Sequence, residues 1–572
     1  MKITIITAIF SLLLCSPIAH AQDTKAADAA RREKAFELLE SLATQVASLQ
    51  SPENRARIGA NIADSLWTQN ENRARAMFIS IEDDIKIGFQ DRDVTDPRDE
   101  LTTMVFLKLR ADIVQRIAKY DPEFALDFLN ATELKTQDAA GSFASAQRDL
   151  EVQLAKQIVA ANPDLALKLG RQSLAHGFSD QLLSVLRQLH RKNRDKGVTL
   201  YKETVQKLRD ADFSDDWEAV EFACSLVESF APPVADESAF RELVNTLITA
   251  ALARTCDKKP KTEDDEDAFC DRIASLVATM QKVDPVRARR LKHLTPNPDE
   301  QSWQSMERPY TELEEVAQDG SVEEILGLAE KYPAMDVSVY SRAIAKAIES
   351  GDVERAKKIA SSYPGESEVR EMLVAQMKFT AADLELTEEQ VAQYQVALEQ
   401  IPQDQNRILA LSVVASRVGA KHKALALKLL DQAFELVERM KAPAGKIEMR
   451  LNVAMSYCTE GSDRGLQIVE SQIPKLNELV EAAVKLDGFD TNYMRDGEWN
   501  MSANGNIGNI LTRLSQNAGH FAWCDFDRAV SLAAQFERSE IRMMAQVKLA
   551  QSILAGPPSR NRNRMVYQSF SF

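Results

Sequence analysis

Glycine, proline and aromatic residues are scarce in this sequence. Of its 572 residues, 20 are glycine and 19 are proline, and together they make up roughly 7% of the chain against about 12% in average proteins. Aromatic residues account for only 6%. A β-sandwich or β-barrel needs many turn glycines and many β-branched or aromatic strand residues. These scarcities therefore exclude an all-β fold.

Catalytic motifs and long apolar runs are missing as well. The sequence contains no H-E-x-x-H, no Walker loop, no G-x-S-x-G and no dinucleotide fingerprint, so we predict no enzyme activity, no cofactor and no metal site. No later run reaches the roughly eighteen apolar residues of a membrane span, so we predict no transmembrane segment in the mature chain. With 70 Lys and Arg against 86 Asp and Glu, the net charge is −16, which disfavours nucleic acid as a partner.

The first 21 residues have the features of a secretory signal peptide. Met1 and Lys2 precede an apolar run, Ile3 to Leu14, of only about a dozen residues, which is too short to span a bilayer. The sequence Ala19-His20-Ala21 then offers a small-x-small cleavage site before Gln22. We predict removal of residues 1–21 and an exported protein, periplasmic or secreted, in a bacterium.

Apolar residues with a period of 3.6 dominate the rest of the chain and predict helices. Between them, an Asp or Asn repeatedly stands four residues before an Ala, and three of these polar residues precede a proline. Such a residue is a typical N-cap, and proline is well tolerated at the first helical position. The seven predicted caps are Asn70, Asp121, Asn162, Asp215, Asp284, Asp352 and Asp525.

One segment repeats directly at an offset of 31 residues. The sequence GSVEEI at 320–325 continues to Tyr332-Pro333, and GDVERA at 351–356 continues to Tyr363-Pro364. An interval of this length corresponds to one helical hairpin and resembles tetratricopeptide-type repeats, whose unit is slightly longer. The resemblance is to that superfamily, with degenerate units. It implies an all-α solenoid of stacked antiparallel hairpins and a scaffold or binding role, and it transfers no catalytic residue.

Composition changes divide the mature chain. The stretch 294–309 is rich in proline and predicts a linker between an N-terminal repeat segment, 22–293, and a C-terminal one, 310–556. The tail 557–572 begins with two prolines, carries three arginines and predicts a flexible end.

A second interruption, residues 487–506, is the candidate ligand or partner loop. A loop of about twenty residues inside a helical array is uncommon, and such loops are functional or disordered. The candidate residues are Asp487, Phe489, Asp490, Tyr493 and Trp499. Two alternatives remain open at this point: calcium held by the acidic residues with Asn492, in an order unlike the EF-hand, or aromatic residues that fix the loop to the helices.

Five cysteines remain after signal removal, an odd number in an oxidising compartment. Cys256 and Cys270 flank the charged segment 257–267 between two predicted helices, so we predict a disulfide between them. A bond between Cys458 and Cys524 requires two distant helices to meet, and Cys224 lies among apolar residues as a buried thiol. The alternative is that all five are small core residues.

These observations favour a non-catalytic helical-repeat scaffold of the cell envelope that binds a protein or peptide on a concave face. The alternative is an envelope enzyme with a helical superhelix and an unrecognised site. Soluble lytic transglycosylases have such a superhelix, together with a Glu-Ser motif before glycine-rich segments. Here Glu349-Ser350 and Glu470-Ser471 lack that context.

Overall fold

The structure, a computed structural model, groups the chain into two compact units. Unit 1 joins residues 1–135 to residues 385–572, and unit 2 comprises residues 136–384. The residues described are 16–90, 97–133, 142–213, 216–230, 236–256, 268–292, 294, 309–310, 312–314, 316–317, 320–367, 369–370, 373–374, 404–419, 422–489, 491–503 and 505–557. The limits of these two units differ from the division that the sequence predicts at 294–309. Only residues 294 and 309 of that stretch are described, and the division therefore stays a prediction.

Helices make up both units. Unit 1 begins with α1 (Ser16–Gln45), α2 (Pro52–Leu66), α3 (Glu71–Phe89), α4 (Pro97–Ala118) and α5 (Pro122–Ala131). Unit 2 contains α6 (Ser142–Ile158), α7 (Pro163–His176), α8 (Asp180–Lys192), α9 (Arg194–Arg209), α10 (Trp217–Ser229), α11 (Glu237–Ala253), α12 (Ala268–Ala274), α13 (Val277–Val283), α14 (Pro285–Ala288), α15 (Val322–Lys331), α16 (Asp336–Glu349) and α17 (Val353–Ser361). Unit 1 resumes with α18 (Asp404–Val418), α19 (Lys423–Arg439), α20 (Pro443–Thr459), α21 (Arg464–Lys485), strands β1 (Met494–Arg495) and β2 (Glu498–Trp499), α22 (Asn506–Gln516), α23 (Ala518–Cys524), α24 (Phe526–Ala533) and α25 (Ser539–Ala555).

Successive helices pack against each other as hairpins. The pairs α2 with α3, α6 with α7, α15 with α16 and α18 with α19 are in extensive contact, as short connections between helices require. The predicted fold class, an all-α solenoid of stacked helical hairpins, is confirmed. No described helix is both long and apolar enough to cross a membrane.

Six of the seven predicted N-caps are confirmed by side-chain hydrogen bonds to the first turn of the following helix. They are Asn70, Asp121, Asn162, Asp284, Asp352 and Asp525. The seventh is wrong by one residue, because α10 is capped by Asp216, whose carboxylate accepts from the backbone N–H of Ala219 at 2.9 Å. A cap oxygen reaches the N–H two or three residues ahead, and Asp215 lies outside the described residues.

The 31-residue repeat occupies equivalent positions in two helices of unit 2, α15 and α17. Ile325 and Ala356, which correspond in the repeat, are both fully buried in one apolar core. The repeat tyrosines also correspond in their bonding: the Tyr332 hydroxyl donates to Glu312 at 2.5 Å, and the Tyr363 hydroxyl donates to Asp336 at 2.8 Å. The repeat in the sequence therefore corresponds to a repeat in the structure.

The two ends of the chain pack together within unit 1. Helix α25 contacts both α1 and α2, so the first helices complete the stack formed by the last ones. The indole N–H of Trp523 donates to the Ser552 carbonyl at 3.1 Å, and the Arg31 guanidinium lies 4.9 Å from the centre of that indole ring. Arg31 and Trp523 are thereby neighbours, although they lie far apart in the sequence.

Candidate functional site in the 487–503 hairpin

The predicted loop folds largely as a β-hairpin. Strands β1 and β2 pair antiparallel, with Met494 opposite Trp499 and Arg495 opposite Glu498. The turn between them is Asp496-Gly497, and both residues have positive φ, 51° and 79°. Two central residues of positive φ define the type I′ turn that asparagine-glycine and aspartate-glycine favour. We call residues 487–503 the hairpin loop; residue 490 lies outside the described part of the chain.

Two of the predicted aromatic residues fix this hairpin loop in place. The rings of Tyr493 and Trp499 stack with centroids 5.5 Å apart, and the two residues are only 6% and 2% exposed. The Trp499 backbone N–H donates to the Glu540 carboxylate at 2.7 Å, while the Asn54 amide donates to the Trp499 carbonyl at 3.0 Å. Trp499 is therefore bonded to both α25 and α2.

The Glu498 carboxylate binds the chain just before α2. It accepts hydrogen bonds from the backbone N–H of Gln50 at 2.7 Å and of Ser51 at 3.3 Å, and from the Asn54 amide at 3.0 Å. Ser51 occupies the N-cap position of α2 but makes no side-chain cap. A negative charge is favourable at this end of a helix, so Glu498 performs the capping role from 447 residues away.

A second buried carboxylate, Glu53, joins the hairpin loop to the first turn of α2. It forms ion pairs with Arg57, at 2.8 Å, and with Arg495, and the Ser502 hydroxyl donates to it at 2.7 Å. Burial opposes ionisation of Glu53, but the two guanidinium groups and the hydroxyl outweigh burial and lower its pKa. Glu53 is therefore a charged, fully partnered group in the interior.

The remaining candidate residues differ in their surroundings. Phe489 is 89% exposed, which is unusual for so large an apolar side chain. The Asp487 carboxylate accepts from the Met494 backbone N–H at 2.9 Å, and Asp490 lies outside the described residues. In the part of the chain that the structure describes, no three His, Cys, Asp or Glu side chains cluster so as to hold a metal ion.

Two open cavities lie along different faces of α21, beside the hairpin loop. The first has a volume of about 870 Å³ and is lined by Ile473, Pro474, Asn477, Glu478, Glu481, Ala482, Lys485, Leu486, Gln535 and Glu537. The second, which we call the Tyr493 cavity, has a volume of about 450 Å³ and is lined by Pro443, Ala444, Ile447, Lys475, Leu479, Tyr493, Gly505, Asn506, Ile507 and Ile510. Both volumes lie in the range of ligand sites.

The structure places the cysteines as follows. Cys256 and Cys270 form a disulfide with Cα atoms 5.5 Å apart, and the charged segment between them, 257–267, lies outside the described residues. Cys458 in α20 and Cys524 in α23 form a second disulfide, with Cα atoms 5.0 Å apart. Cys224 is fully buried in unit 2 and belongs to neither pair.

A polar cluster between α2 and α25 was missed by sequence reasoning. The Lys548 amine donates to Asn61 at 2.6 Å and to Gln551 at 3.0 Å, and the Gln551 amide donates to the Asn61 carbonyl and the Ser65 hydroxyl. Burial, aided by the Arg116 guanidinium, lowers the pKa of Lys548 to about 8. The sequence does contain one signal that indicates this cluster: Lys548 lies in a helix whose apolar residues occupy all sides.

Comparisons with known proteins find only weak structural similarity. No protein family and no curated protein matches the sequence. The structure is similar to a circular tandem repeat protein with a novel repeat topology, at 12% identity and a TM-score of 0.17, covering 93% of this chain and 99% of that one. It is also similar to a homology model of the full-length AP-3 complex, at 13% identity and a TM-score of 0.16, covering 94% of this chain and 92% of that one. Alignments this weak carry no functional argument.

Proposed function

We propose that the mature protein is a non-catalytic helical-repeat scaffold of the bacterial cell envelope, and that it binds a protein or peptide along α21. The observation that carries this proposal is the pair of open cavities on two faces of that helix. Stacked helical hairpins commonly present extended surfaces to protein partners. The 31-residue repeat supports the finer resemblance to tetratricopeptide-type hairpins.

The walls of the Tyr493 cavity are held in a fixed arrangement, which favours binding. The Cys458–Cys524 disulfide joins α20 to α23, and the hairpin loop bonds to α2 and α25 through Glu498 and Trp499. A preorganised surface loses less conformational freedom when it binds. We therefore infer that unit 1 recognises its partner with little rearrangement.

The charges around the larger cavity indicate the chemistry of the partner. Among the described residues, its lining includes Glu478, Glu481 and Glu537 against a single lysine, Lys485, in a chain whose net charge is −16. Electrostatic complementarity favours a basic segment in a partner that approaches this face. Phe489 and Leu486 are exposed nearby in sequence and supply apolar contacts of the kind that anchor interfaces.

Site-specific photo-cross-linking tests the proposal. A photoreactive phenylalanine analogue replaces Leu486 or, in a second strain, Phe489, and intact cells are irradiated. Leu101 on α4 is the matched control, because it is 56% exposed and Leu486 is 52% exposed. We expect the same discrete adduct from both test positions and none from Leu101. Equal labelling from all three positions, or labelling from none, contradicts the proposal.

Two further measurements test the remaining parts of this proposal. The intact mass of the exported protein should correspond to a chain that begins at Gln22, as the predicted cleavage site requires. Purified protein incubated with isolated peptidoglycan should release no soluble fragments. Release of such fragments would favour the alternative, an envelope enzyme.

A further inference from the structure

We infer that the Tyr493 cavity binds the C-terminal carboxylate of an extended peptide whose last side chain is apolar. This inference rests on the proposed scaffold function and specifies the partner chemistry of one site. It starts from the N-terminus of α22, where Gly505, Asn506 and Ile507 line the cavity.

No side chain of the described residues caps the N-terminus of α22. Gly505 is its N-cap residue and provides no side chain, and the helix continues for 11 residues. The N–H groups of Asn506 and Ile507 stand in the first turn, where a helix offers no internal acceptor, and both residues line the cavity. These donors, together with the helix dipole, favour a bound anion.

The Tyr493 hydroxyl is the second, independent feature that indicates a ligand. The side chain is 94% buried, since only 6% is exposed, yet its hydroxyl bonds to no group in the described part of the chain. The ring is held by the stack with Trp499. A β-carbon on Gly505 would lie 3.1 Å from this hydroxyl oxygen, so the hydroxyl stands directly beside the uncapped turn. The hydroxyl is therefore open to the cavity, where a ligand can supply its hydrogen-bond partner.

The charge of the cavity suits one carboxylate. Among the described residues, its lining includes Lys475 and no acidic side chain. The Lys475 amine lies 2.9 Å from Glu478, but both side chains are more than half exposed, so this pair is weak and the ammonium group is available to a ligand at the rim. Hydrogen-bond donors for one carboxylate therefore come from three directions: the Tyr493 hydroxyl, the α22 N-terminus and the Lys475 amine.

The other walls of the cavity are apolar. They favour a carboxylate that belongs to a residue with an apolar side chain. Ile447, Leu479, Ile507 and Ile510 surround the same space. A phosphate group would leave these walls facing a strongly hydrated anion, whereas a C-terminal residue such as leucine places its carboxylate on the donors and its side chain on the isoleucines. Capture of a peptide carboxylate by backbone N–H groups is a recurring recognition mode.

Peptide binding to the mature full-length protein tests this inference. Heptapeptides randomised at the last two positions are presented in two forms, with a free carboxylate and with a C-terminal amide. The tightest acid peptide is then measured by fluorescence anisotropy against the wild type and against Tyr493→Phe, which retains the ring that stacks on Trp499. Tyr310→Phe is the control, because Tyr310 is an exposed tyrosine outside the cavity lining.

We expect binding by the acid peptides with apolar last residues, loss of binding by their amides, and about tenfold weaker binding to Tyr493→Phe with no change in Tyr310→Phe. If Tyr493→Phe does not fold, Lys475→Gln should weaken binding in its place. Equal binding of acid and amide, absence of binding by either form, or competition by inorganic phosphate at peptide-like concentrations overturns the inference. If the cross-links from Leu486 and Phe489 persist in that case, the scaffold proposal stands and only the carboxylate site is wrong.

Discussion

Replacing Lys548 with methionine should stabilise unit 1 at neutral pH and lose this stabilisation at alkaline pH. In the folded state the pKa of Lys548 is lowered from 10.5 to about 8, chiefly by burial. The unfolded chain therefore binds more protons than the folded chain between these two values, and the free energy of unfolding rises with pH across that window. Below about pH 8 the folded protein carries the full cost of charging a buried amine.

The magnitude follows from the size of the shift. At 1.36 kcal/mol for each pKa unit, the cost at pH 7 is about 3 kcal/mol, and it falls below about 1 kcal/mol at pH 10. Against this, methionine removes the hydrogen bonds to Asn61 and Gln551, a loss of about 1 kcal/mol. Lys548→Met should therefore stabilise unit 1 by about 2 kcal/mol at pH 7 and be neutral or destabilising at pH 10.

Guanidinium chloride unfolding at pH 7, 8, 9 and 10, followed by circular dichroism, measures this difference. The control is Lys34→Met, because Lys34 is an exposed lysine of the same unit, 2.6 Å from Asp527. Its effect should not change sign between pH 7 and pH 10. A Lys548→Met effect that is equally destabilising at every pH would refute the reasoning, since it would show that the amine is charged without cost.

Three other predictions concern a cap, a buried carboxylate and a disulfide. Asp121→Ala removes the cap of α5 before Pro122 and should lower the free energy of unfolding by about 1 kcal/mol; an unchanged denaturation midpoint would contradict the capping role. Glu53→Gln leaves two guanidinium groups without their counter-charge and should cost about 3 kcal/mol at pH 7. Because the pKa of Glu53 is lowered by folding, this difference should vanish only as the pH falls well below about 4, and a difference that vanishes at higher pH would count against the ion pairs. Non-reducing peptide mapping of the purified protein should recover Cys256 linked to Cys270, and a free thiol at either position would count against the bond.

The sequence predicts those parts of the fold that depend on local chemistry. A cap such as Asp352 is recognisable because its oxygen bonds a backbone N–H three residues away. The repeat is recognisable because its buried positions recur at one interval. The hairpin was predictable in principle, since Asp496-Gly497 is a strong turn signal, but the abundance of polar residues around it favoured a reading as an irregular loop.

The candidate site was predictable only in part, because its contacts join residues far apart in the chain. Nothing local to Glu498 indicates that it bonds to Gln50 and Ser51, 448 and 447 residues away. Tyr493 and Trp499 were identified as aromatic residues in an unusual loop, but their stacking and burial depend on α25. Lys548 was missed because its hydrogen-bond partner Asn61 of α2 lies 487 positions away in the sequence, so the residues around Lys548 do not show what its amine bonds to.

Hydrogen exchange of the Glu498→Gln variant tests the central claim most directly, namely that the hairpin loop joins both ends of the chain into one cooperative unit. The neutral amide is a weaker acceptor for the N–H groups of Gln50 and Ser51. Glu478→Gln, an exposed position on α21, is the control. The account predicts faster exchange in α2 and α25 together, with no change in α7 and α9 of unit 2. Faster exchange confined to the hairpin loop, with α2 and α25 as protected as in the wild type, would contradict it.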